Sequence, residues 1–541
     1  MTDGPLAFFT LDRGTATTAA SLLARVEGRF RLLASLAVPT GMDVESLLGS
    51  LVETVRGAAP ELLDGADDWR EWARLECLTH APGRIVLAAV TERRLAALET
   101  AAANAGWEIA GRISPERTDA LDASTLLLQP DLDLVAVAAG DPPAVDERER
   151  LSDLGALVAA AIGERDDLLC LLAGGAASLT DLLPAQRVLL GPAPDGRPAA
   201  EPSPLGELLE QVAARRLPPG LDGAPSSDGR QGFAHSVVSL AALLERRVEG
   251  VDVGRSGGMR VLATADGLRA RLVRADGALV PDGAPDDDHH VDDVLRWSPV
   301  PGDLSALRDR VRNLRLAPWR DASGDGARLR LAAARAALAR LDAAWQLADE
   351  ADGRPGDKAA DVLIASGGAF DVAPPPAVGL ALVDTLRRPG GIGLYHDHAR
   401  LLGPLGTLAS ERDRRRLLAD LLEDALVPLG SAVVAAGLRQ GRHAGTLRVS
   451  SDGSTSELEL VPGAIQLIDL PPGLAATVEL ETREGVWLGV RARRIALHVV
   501  GGLCGLLVDT RDVPLRLPER AERRRELLDA WQRPLWPVID G

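Results

Sequence analysis

The sequence predicts an α/β protein with a duplicated, two-lobed core, an inserted α/β domain and a C-terminal β-rich domain. Three observations support this prediction. A unit of strand, Asp-x-Gly turn and hairpin occurs near residue 12 and again near residue 252. Strand and helix patterns alternate between the two copies, and short alternating apolar runs follow residue 445. A duplicated unit is expected when two lobes face each other across a cleft.

Length and composition define the broad class of protein. The chain has 541 residues, of which 46% are apolar and 26% charged, and this size favours three or four domains. Its three cysteines, Cys77, Cys170 and Cys504, lie far apart without C-x-x-C spacing, which argues against a disulfide framework or a zinc site. A reducing compartment therefore fits best.

Charge and hydropathy limit the partners. The formal net charge of -18 disfavours nonspecific attraction to nucleic acid or anionic membranes. The N-terminus lacks a basic region before its short apolar stretch, and no apolar run approaches the roughly 18 to 20 residues of a membrane span. We therefore expect a cytoplasmic protein with neither nucleic-acid nor membrane partners. Its oligomeric state does not follow from the sequence.

The first copy of the repeated unit lies at the start of the chain. A strand from Leu6 leads into the polar turn Asp12–Thr18, and a second apolar stretch runs through Val26. Residues Phe30–Leu36 then form a third strand after a tight turn. A helix follows Asp43, a suitable N-cap, because apolar residues recur there at spacings of three and four.

The second copy comprises the strand Val248–Val253, the turn Asp252–Gly258 and the stretch Met259–Thr264. Glycine lets the backbone approach a phosphate, turn amides donate to its oxygens, and a strand-end aspartate holds Mg²⁺ through water. A single Asp-x-Gly is common in ordinary hairpins, so the pairing of two copies carries the prediction. We expect ATP and Mg²⁺ here, with Asp12 and Asp252 as catalytic and metal-binding residues. The expected phosphate-binding residues are Gly14, Thr15, Thr17, Gly254, Arg255 and Ser256.

A third glycine-rich turn follows the apolar strand that begins at Asp361. The strand ends in Ser366, Gly367 and Gly368. Such a turn allows close backbone approach to an adenine or ribose, whereas the simpler interpretation is an ordinary strand-to-helix loop. Because the two Asp-x-Gly turns also occur in the chain, we interpret Ser366, Gly367 and Gly368 as an adenosine-binding segment.

In order, D-x-G-T, D-x-G and S-G-G resemble the phosphate-one, phosphate-two and adenosine segments of the actin, hexokinase and chaperone superfamily. More narrowly, the chain resembles the glutamate mutase L family. This resemblance rests on Ala365–Pro374, Gly393–Tyr395 and Leu402–Gly406, and in the tail on Ile468–Gly473, Gly501-Gly502, Gly505–Thr510 and Pro514–Pro518. It implies an actin-like, ribonuclease-H-like core and an accessory or reactivating role toward an adenosylcobalamin-dependent mutase.

The two phosphate loops depart from that family's pattern. The first loop usually continues Thr-Lys, but Thr18 is followed here by Ala19. In the second loop Arg255 replaces a glycine, and Gly257 and Gly258 stand where hydroxyls are expected. Arg255 either fills the phosphate pocket or supplies a cation to it. ATP hydrolysis therefore stays open, and the alternatives are a degenerate, non-hydrolysing actin-like scaffold and a small-molecule kinase of the same superfamily.

Composition also divides the chain into four predicted domains. Lobe I takes residues 1–80, the inserted α/β domain 81–190, lobe II 191–436 and the C-terminal β-rich domain 437–541. Helical patterns at Asp303–Leu314 and Leu329–Leu347 supply covering helices of lobe II. Three tryptophans are expected in the core rather than at a cofactor, namely Trp297, Trp319 and Trp345.

Three other segments permit a ligand interpretation alongside a structural one. Gly140–Pro143 and Gly174-Gly175 follow strands of the inserted domain and are either a second ligand pocket or plain connecting loops. Tyr395–His398 places two imidazoles on one strand face, but no third metal ligand is visible. The acidic run Asp286–His290 is interpreted as a solvated loop.

Overall fold

The computed structural model describes residues 7–63, 68–79, 83–194, 203–217, 226–265, 270–279, 287–317, 322–351, 360–386, 388–438 and 445–536. Lobe I is a mixed sheet covered on its outer face by one helix. Its elements are β1 (Ala7–Arg13), β2 (Thr17–Val26), β3 (Arg29–Pro39), α1 (Val44–Ala58) and β4 (Ala73–Leu78). Strand β1 lies between antiparallel β2 and parallel β4. The predicted N-cap is confirmed, because the Asp43 carboxylate accepts a hydrogen bond from the Ser46 amide.

The inserted domain is a doubly wound sheet of five parallel strands. Its elements are β5 (Arg84–Ala89), α2 (Glu92–Asn104), β6 (Glu108–Ile113), α3 (Ala120–Leu127), β7 (Leu134–Ala139), α4 (Val145–Glu164), β8 (Leu169–Gly174), β9 (Val188–Gly191) and α5 (Pro204–Ala214). The strand order is β6-β5-β7-β8-β9. Helix α5 packs here through Leu205 and Leu209, so the domain's core extends past residue 190.

The glycine-rich loops of this domain pack against each other. A Cβ built on Gly175 would collide with the Gly140 carbonyl oxygen, and one on Gly174 would lie 2.7 Å from the Ala139 carbonyl oxygen. Contacts this close favour the connecting-loop interpretation of these residues over an open ligand pocket.

Lobe II repeats the topology of lobe I. The chain first adds the short strand β10 (Ser227–Asp228) to β4 of lobe I. The elements of lobe II are then α6 (Gly229–Leu244), β11 (Val248–Val253), β12 (Gly257–Ala263), β13 (Ala270–Asp276), α7 (Asp287–Arg296), α8 (Leu304–Leu316), α9 (Gly324–Ala351), β14 (Val362–Ser366), α10 (Pro375–Thr385), β15 (Gly390–His396), α11 (Leu402–Gly406), α12 (Glu411–Ala425) and β16 (Val427–Val434). The strand order in lobe I is β3-β2-β1-β4-β10, with the short β10 at the edge. In lobe II the corresponding strands follow in the same order, β13-β12-β11-β14-β15. This duplication confirms the predicted two-lobed, actin-like core.

Helices α6 and α12 lie between the two sheets. Their apolar side chains, including Phe233, Leu240 and Leu418, share one core with Phe8 of lobe I and Ile364 of lobe II. The two lobes are therefore joined through a common helical layer. Helices α9 and α10 cover the far face of the lobe II sheet.

The C-terminal segment forms its own sheet and then returns to lobe II. Its elements are β17 (Gly445–Ser451), β18 (Ser454–Glu459), β19 (Ile465–Ile468), β20 (Ala475–Trp487), β21 (Arg491–Val500), β22 (Leu506–Asp509) and α13 (Ala521–Gln532). Four strands pair antiparallel in the order β18-β17-β20-β21. Strands β22 and β19 instead extend the lobe II sheet beyond β16, and Leu528 of α13 joins the lobe II core.

Two further predictions can be compared with the structure. Trp297 and Trp345 are buried at 9% and 2% exposure, as expected of core residues, whereas Trp319 lies outside the described residues. The prediction of a loop for the acidic run is wrong, since residues 287–290 begin α7, although Asp288 and His289 are exposed.

In the described parts of the chain, no helix combines the length and apolar character needed to cross a membrane.

Candidate functional site

A cleft lies between the lobes at the ends of β1 and β11. The space within the cleft that no protein atom occupies is about 620 Å³, including the part open to solvent. Of the residues predicted for the site, only Ser256 and Ser366 do not line this cleft. The lining includes Asp12, Gly14, Thr15, Thr17, Asp252, Gly254, Arg255, Gly367 and Gly368. The three separate sequence segments thus meet at one place, although the role of each residue stays a prediction.

The two Asp-x-Gly turns have the same backbone geometry. The Gly14 amide donates to the Thr17 carbonyl oxygen at 2.9 Å, and the Gly254 amide donates to the Gly257 carbonyl oxygen at 3.0 Å. In each lobe the aspartate pairs with the residue seven positions later in the neighbouring antiparallel strand. The repeated sequence pattern therefore produces two equivalent turns, one from each side of the cleft.

The carboxylates of Asp12 and Asp252 share a confined space. Burial, and after it the negative charge of Asp12, raises the pKa of Asp252 to about 7. Burial also raises the pKa of Asp12, while the Arg400 guanidinium opposes that shift. Mg²⁺ is usually held by one or two carboxylates together with substrate phosphates and water. These two side chains fit that requirement, and no set of three His, Cys, Asp or Glu residues suited to a metal occurs among the described residues.

Glycines 367 and 368 form a tight floor for the cleft. Gly367 has a φ of +103°, and a Cβ there would lie 2.5 Å from the Asp252 Oδ1 atom and would also collide with the Val253 carbonyl oxygen. A Cβ on Gly368 would lie 2.8 Å from the Thr17 Oγ1 atom. This segment packs a bare backbone against both Asp-x-Gly turns, and both glycines also line the cleft, where a ligand can reach them.

The two predicted serines occupy supporting positions. Ser366 donates from Oγ to the Asp397 Oδ2 atom at 2.8 Å, and Asp397 also accepts from the amides of Leu401 and Leu402. Burial raises the pKa of Asp397 to about 6. These bonds fix the turn that follows β15. Ser256 is buried in the second phosphate turn and does not line the cleft.

The histidines beside Asp397 do not assemble a metal site in the described structure. Burial lowers the pKa of His396 to about 3, and its ring centroid lies 5.4 Å from that of His398. Asp397 is committed to Ser366 and to backbone amides. His396 is buried at the end of β15, whereas His398 is exposed in the turn that follows, so the two imidazoles are not on one strand face.

Arg255 lies on the rim of the cleft. Its Nη2 atom donates to the Arg315 carbonyl oxygen at 2.6 Å, near the C-terminal end of α8, while the side chain still contributes to the cleft lining. A cation at a helix C-terminus is favoured by the helix dipole. The contact anchors the guanidinium and leaves its charge beside the cleft.

Sequence reasoning missed Arg400, which crosses the cleft from lobe II to lobe I. Its Nη1 atom donates to Thr17 Oγ1 at 3.1 Å, and its Nε atom lies 3.4 Å from Asp12 Oδ2. Thr17 in turn donates to Asp371 at 3.4 Å. No local pattern marks Arg400, because Thr17 is 383 positions away in the chain. Other cleft residues missed at the sequence level are Ala16, Thr79, Ala278, Leu279, Arg330, Ala333 and Ala369.

Comparison with known proteins yields structural likeness only. No protein-family model matches the chain, and no curated protein does. Similar solved structures include nucleotide-free acetone carboxylase, with 11% identity, a TM-score of 0.31 and coverage of 84% of this chain and 80% of that one. Component A of (R)-2-hydroxyglutaryl-CoA dehydratase from Acidaminococcus fermentans has 8% identity, a TM-score of 0.27 and coverage of 76% and 99%. The PilM-PilN type IV pilus biogenesis complex has 13% identity, a TM-score of 0.25 and coverage of 77% and 98%. These values are too low to transfer an activity, so the assignment of the fold rests on the strand order.

Proposed function

We propose that the cleft binds Mg-ATP between the two lobes. The observation that carries this proposal is the pair of equivalent turns, each with an aspartate at a strand end and a glycine amide in the loop. Gly367 and Gly368 line the cleft beside both turns and are the candidates for contact with the adenosine. A ligand that touches both lobes favours the closed arrangement by its greater affinity for that state.

The two aspartates suit different tasks. Asp12 lies beside a cation and is the better candidate to face the metal, which would neutralise phosphate charge when bound. Asp252, with a pKa of about 7, can accept a proton from a water molecule at neutral pH. Hydrolysis of the terminal phosphate would use Asp252 in this way.

We further infer an accessory role in which lobe motion acts on a partner enzyme. Two features support it, namely the joining of the lobes through α6 and α12 and the resemblance to glutamate mutase L. Nucleotide-dependent closure of a two-lobed protein can change the surface that it offers to a partner. The partner suggested by the resemblance is an adenosylcobalamin-dependent mutase.

A non-hydrolysing scaffold is the second candidate, and the second phosphate turn favours it. The Arg255 guanidinium is anchored on the Arg315 carbonyl oxygen, and the Ser256 hydroxyl does not line the cleft. That turn therefore presents no hydroxyl to a phosphate. Such a protein would bind nucleotide without releasing inorganic phosphate.

Thermal unfolding with and without Mg-ATP tests the binding proposal. Ligand at 100 times its dissociation constant should add about 2.7 kcal/mol to the free energy of unfolding. Asp12→Ala should abolish the shift, whereas Asp153→Asn, on the exposed face of α4, should retain it. An unchanged melting temperature for the native sequence would exclude a working nucleotide cleft. Phosphate release by the same sample then separates an ATPase from the scaffold.

A further inference from the structure

Arg400 is a buried cation placed on an uncommon backbone conformation. It is only 4% exposed and has a φ of +52°, a region that most side chains avoid. The turn that carries it is held by Asp397, whose carboxylate accepts bonds from the amides of Leu401 and Leu402. The local structure therefore fixes a strained residue so that its side chain enters the cleft.

The guanidinium of Arg400 has more donors than partners. It carries five N–H groups, yet within the described residues its one hydrogen bond is from Nη1 to Thr17 Oγ1. The Nε and Nη2 atoms are buried and donate no hydrogen bond to the described residues; the ion contacts from Nε to Asp12 and from Nη1 to Asp371 measure 3.4 and 4.0 Å. Unsatisfied buried donors on a charged group are costly, so a site for an anion is indicated.

Arg400 lines the cleft together with Gly14 and Gly368. The positions that a Cβ would take on Gly14 and Gly368 lie 3.8 and 3.0 Å from its Nη1 atom, so two glycines border the guanidinium. Arg400 reaches the first Asp-x-Gly turn from the opposite lobe through its hydrogen bond to Thr17 Oγ1.

We propose that Arg400 is the phosphate-binding cation of this cleft, a proposal that rests on the proposed nucleotide site. In this structure it pairs with Asp12 and Thr17; with a nucleotide bound, it would donate to a phosphate oxygen, and Asp12 would be available to hold the metal. Each charge keeps a partner in both arrangements, which limits the cost of the exchange. Guanidinium and phosphate form strong, often bidentate hydrogen bonds. Because Arg400 belongs to lobe II and Thr17 to lobe I, this contact also links phosphate binding to the approach of the lobes.

Titration calorimetry on the full chain tests the proposal with four probes: Mg-ATP, Mg-ADP, Mg-pyrophosphate and adenosine. Arg400→Met keeps an unbranched side chain at the same backbone angle and should weaken ATP and pyrophosphate binding about 10- to 100-fold, the range expected for loss of a charged hydrogen bond. Adenosine affinity should change by less than about twofold, since adenosine has no phosphate for the guanidinium. Arg400→Lys should recover part of the loss, because it restores charge without the planar fork.

The matched control is Arg414→Met, which removes another buried arginine, one that donates to Ser239 Oγ outside the cleft. It should bind all four probes with native affinity. Circular dichroism checks each fold, and Arg400→Lys decides the question if Arg400→Met does not fold.

Two results would overturn the proposal. One is native affinity of the Arg400 variants for ATP and pyrophosphate, and the other is an equal loss for adenosine, which would indicate a structural role only. If the native chain binds pyrophosphate through Arg400 but gains nothing from adenosine, the nucleotide function fails and the Arg400 proposal stands. If it binds neither, both fail.

Discussion

At the residue scale, the cleft brings several buried charged side chains close together. Asp12 and Asp252 both interact electrostatically with Arg400 and Arg230, and each carboxyl has a pKa raised mainly by burial. Arg230 lies beneath the second turn, where a Cβ on Gly257 would come within 2.5 Å of its Nη2 atom. Protonation and ligand binding are therefore expected to be linked at these residues.

Asp252→Asn should raise the stability of the unliganded protein above about pH 7. The pKa of Asp252 is raised from 3.8 to about 7, so its contribution to stability is complete below pH 3.8 and is lost as the pH rises through 7. The variant removes this loss, and the gap between its free energy of unfolding and the native value should widen from about pH 4 and level off above about pH 8. Urea unfolding across this range measures the gap. A gap that narrows with pH, or one that Asp153→Asn reproduces, would contradict the assignment.

Gly367→Ala should destabilise the protein by about 1 to 3 kcal/mol, because the new Cβ would collide with the Val253 carbonyl oxygen at a backbone φ of +103°. Gly57→Ala is the matched control, since helix α1 leaves no atom within 4 Å of its Cβ position. That change should be neutral or stabilising by up to about 1 kcal/mol. Equal effects of the two substitutions on thermal unfolding would show that the turn at Gly367 is not tight.

Site features encoded by adjacent residues can be predicted from the sequence, whereas contacts between residues far apart in the chain cannot. The paired Asp-x-Gly turns were visible because each is encoded within a few adjacent residues, and the glycine pair after β14 likewise. Arg400 and the bond from Ser366 to Asp397 were not, since they depend on chain segments brought together by the fold. The sequence shows that Arg255 replaces a glycine of the family pattern, but it gives no sign of the hydrogen bond from Arg255 to the Arg315 carbonyl oxygen.

At the element scale, a buried ion network fastens the end of the chain to lobe II. Asp384 of α10 lies 3.0 Å from the Arg335 Nε atom of α9 and 2.8 Å from the Arg511 Nη1 atom just after β22. Asp509 completes the network with a 2.8 Å contact to Arg511. All four side chains are at most 2% exposed. The network joins two helices of the core to the strand that returns from the C-terminal sheet.

Asp384→Ala should cost about 3 to 5 kcal/mol of stability, because it leaves two guanidiniums buried without this carboxylate between them. Glu411→Gln, which breaks an exposed pair with Arg415 on α12, should cost at most about 0.5 kcal/mol. Denaturant unfolding of both variants gives the comparison. Similar small costs would mean that Asp384 does not bind the elements together.

Elements with strong periodicity were predicted well, and those that depend on distant pairing were not. Helices α1 and α8 follow Asp43 and Asp303, both of which cap them as aspartates usually do. The acidic run predicts a loop, but it begins α7, whose apolar side is buried through Val291, Val294 and Leu295. Nothing in the local sequence of β19 and β22 indicates that they join the lobe II sheet, because a strand's pairing partner depends on contacts far away in the chain.

At the scale of the whole molecule, the inserted domain is built so that the chain enters and leaves at one place. Gly83, at its start, lies against the Arg216 side chain at its end and against Trp107. The domain has two apolar cores of its own, one on each face of its sheet. Domains inserted in this way can fold without the host.

The segment Gly83–Leu217, expressed alone, should therefore fold and unfold cooperatively in urea with a circular dichroism spectrum of mixed helix and strand. A shorter segment that stops at residue 190 provides the control, because it lacks Leu205 and Leu209 of α5 and should be less stable. A noncooperative transition for the longer segment would show that it needs the lobes.

Amide hydrogen exchange of the full chain, with and without Mg-ATP, shows whether a nucleotide binds between the two equivalent turns. We expect added protection in residues 12–18, 252–258 and 366–369 together, and in the α6 and α12 layer if the lobes close. Protection confined to the inserted-domain loops at 140–144 and 174–175, or none at saturating nucleotide, would contradict it.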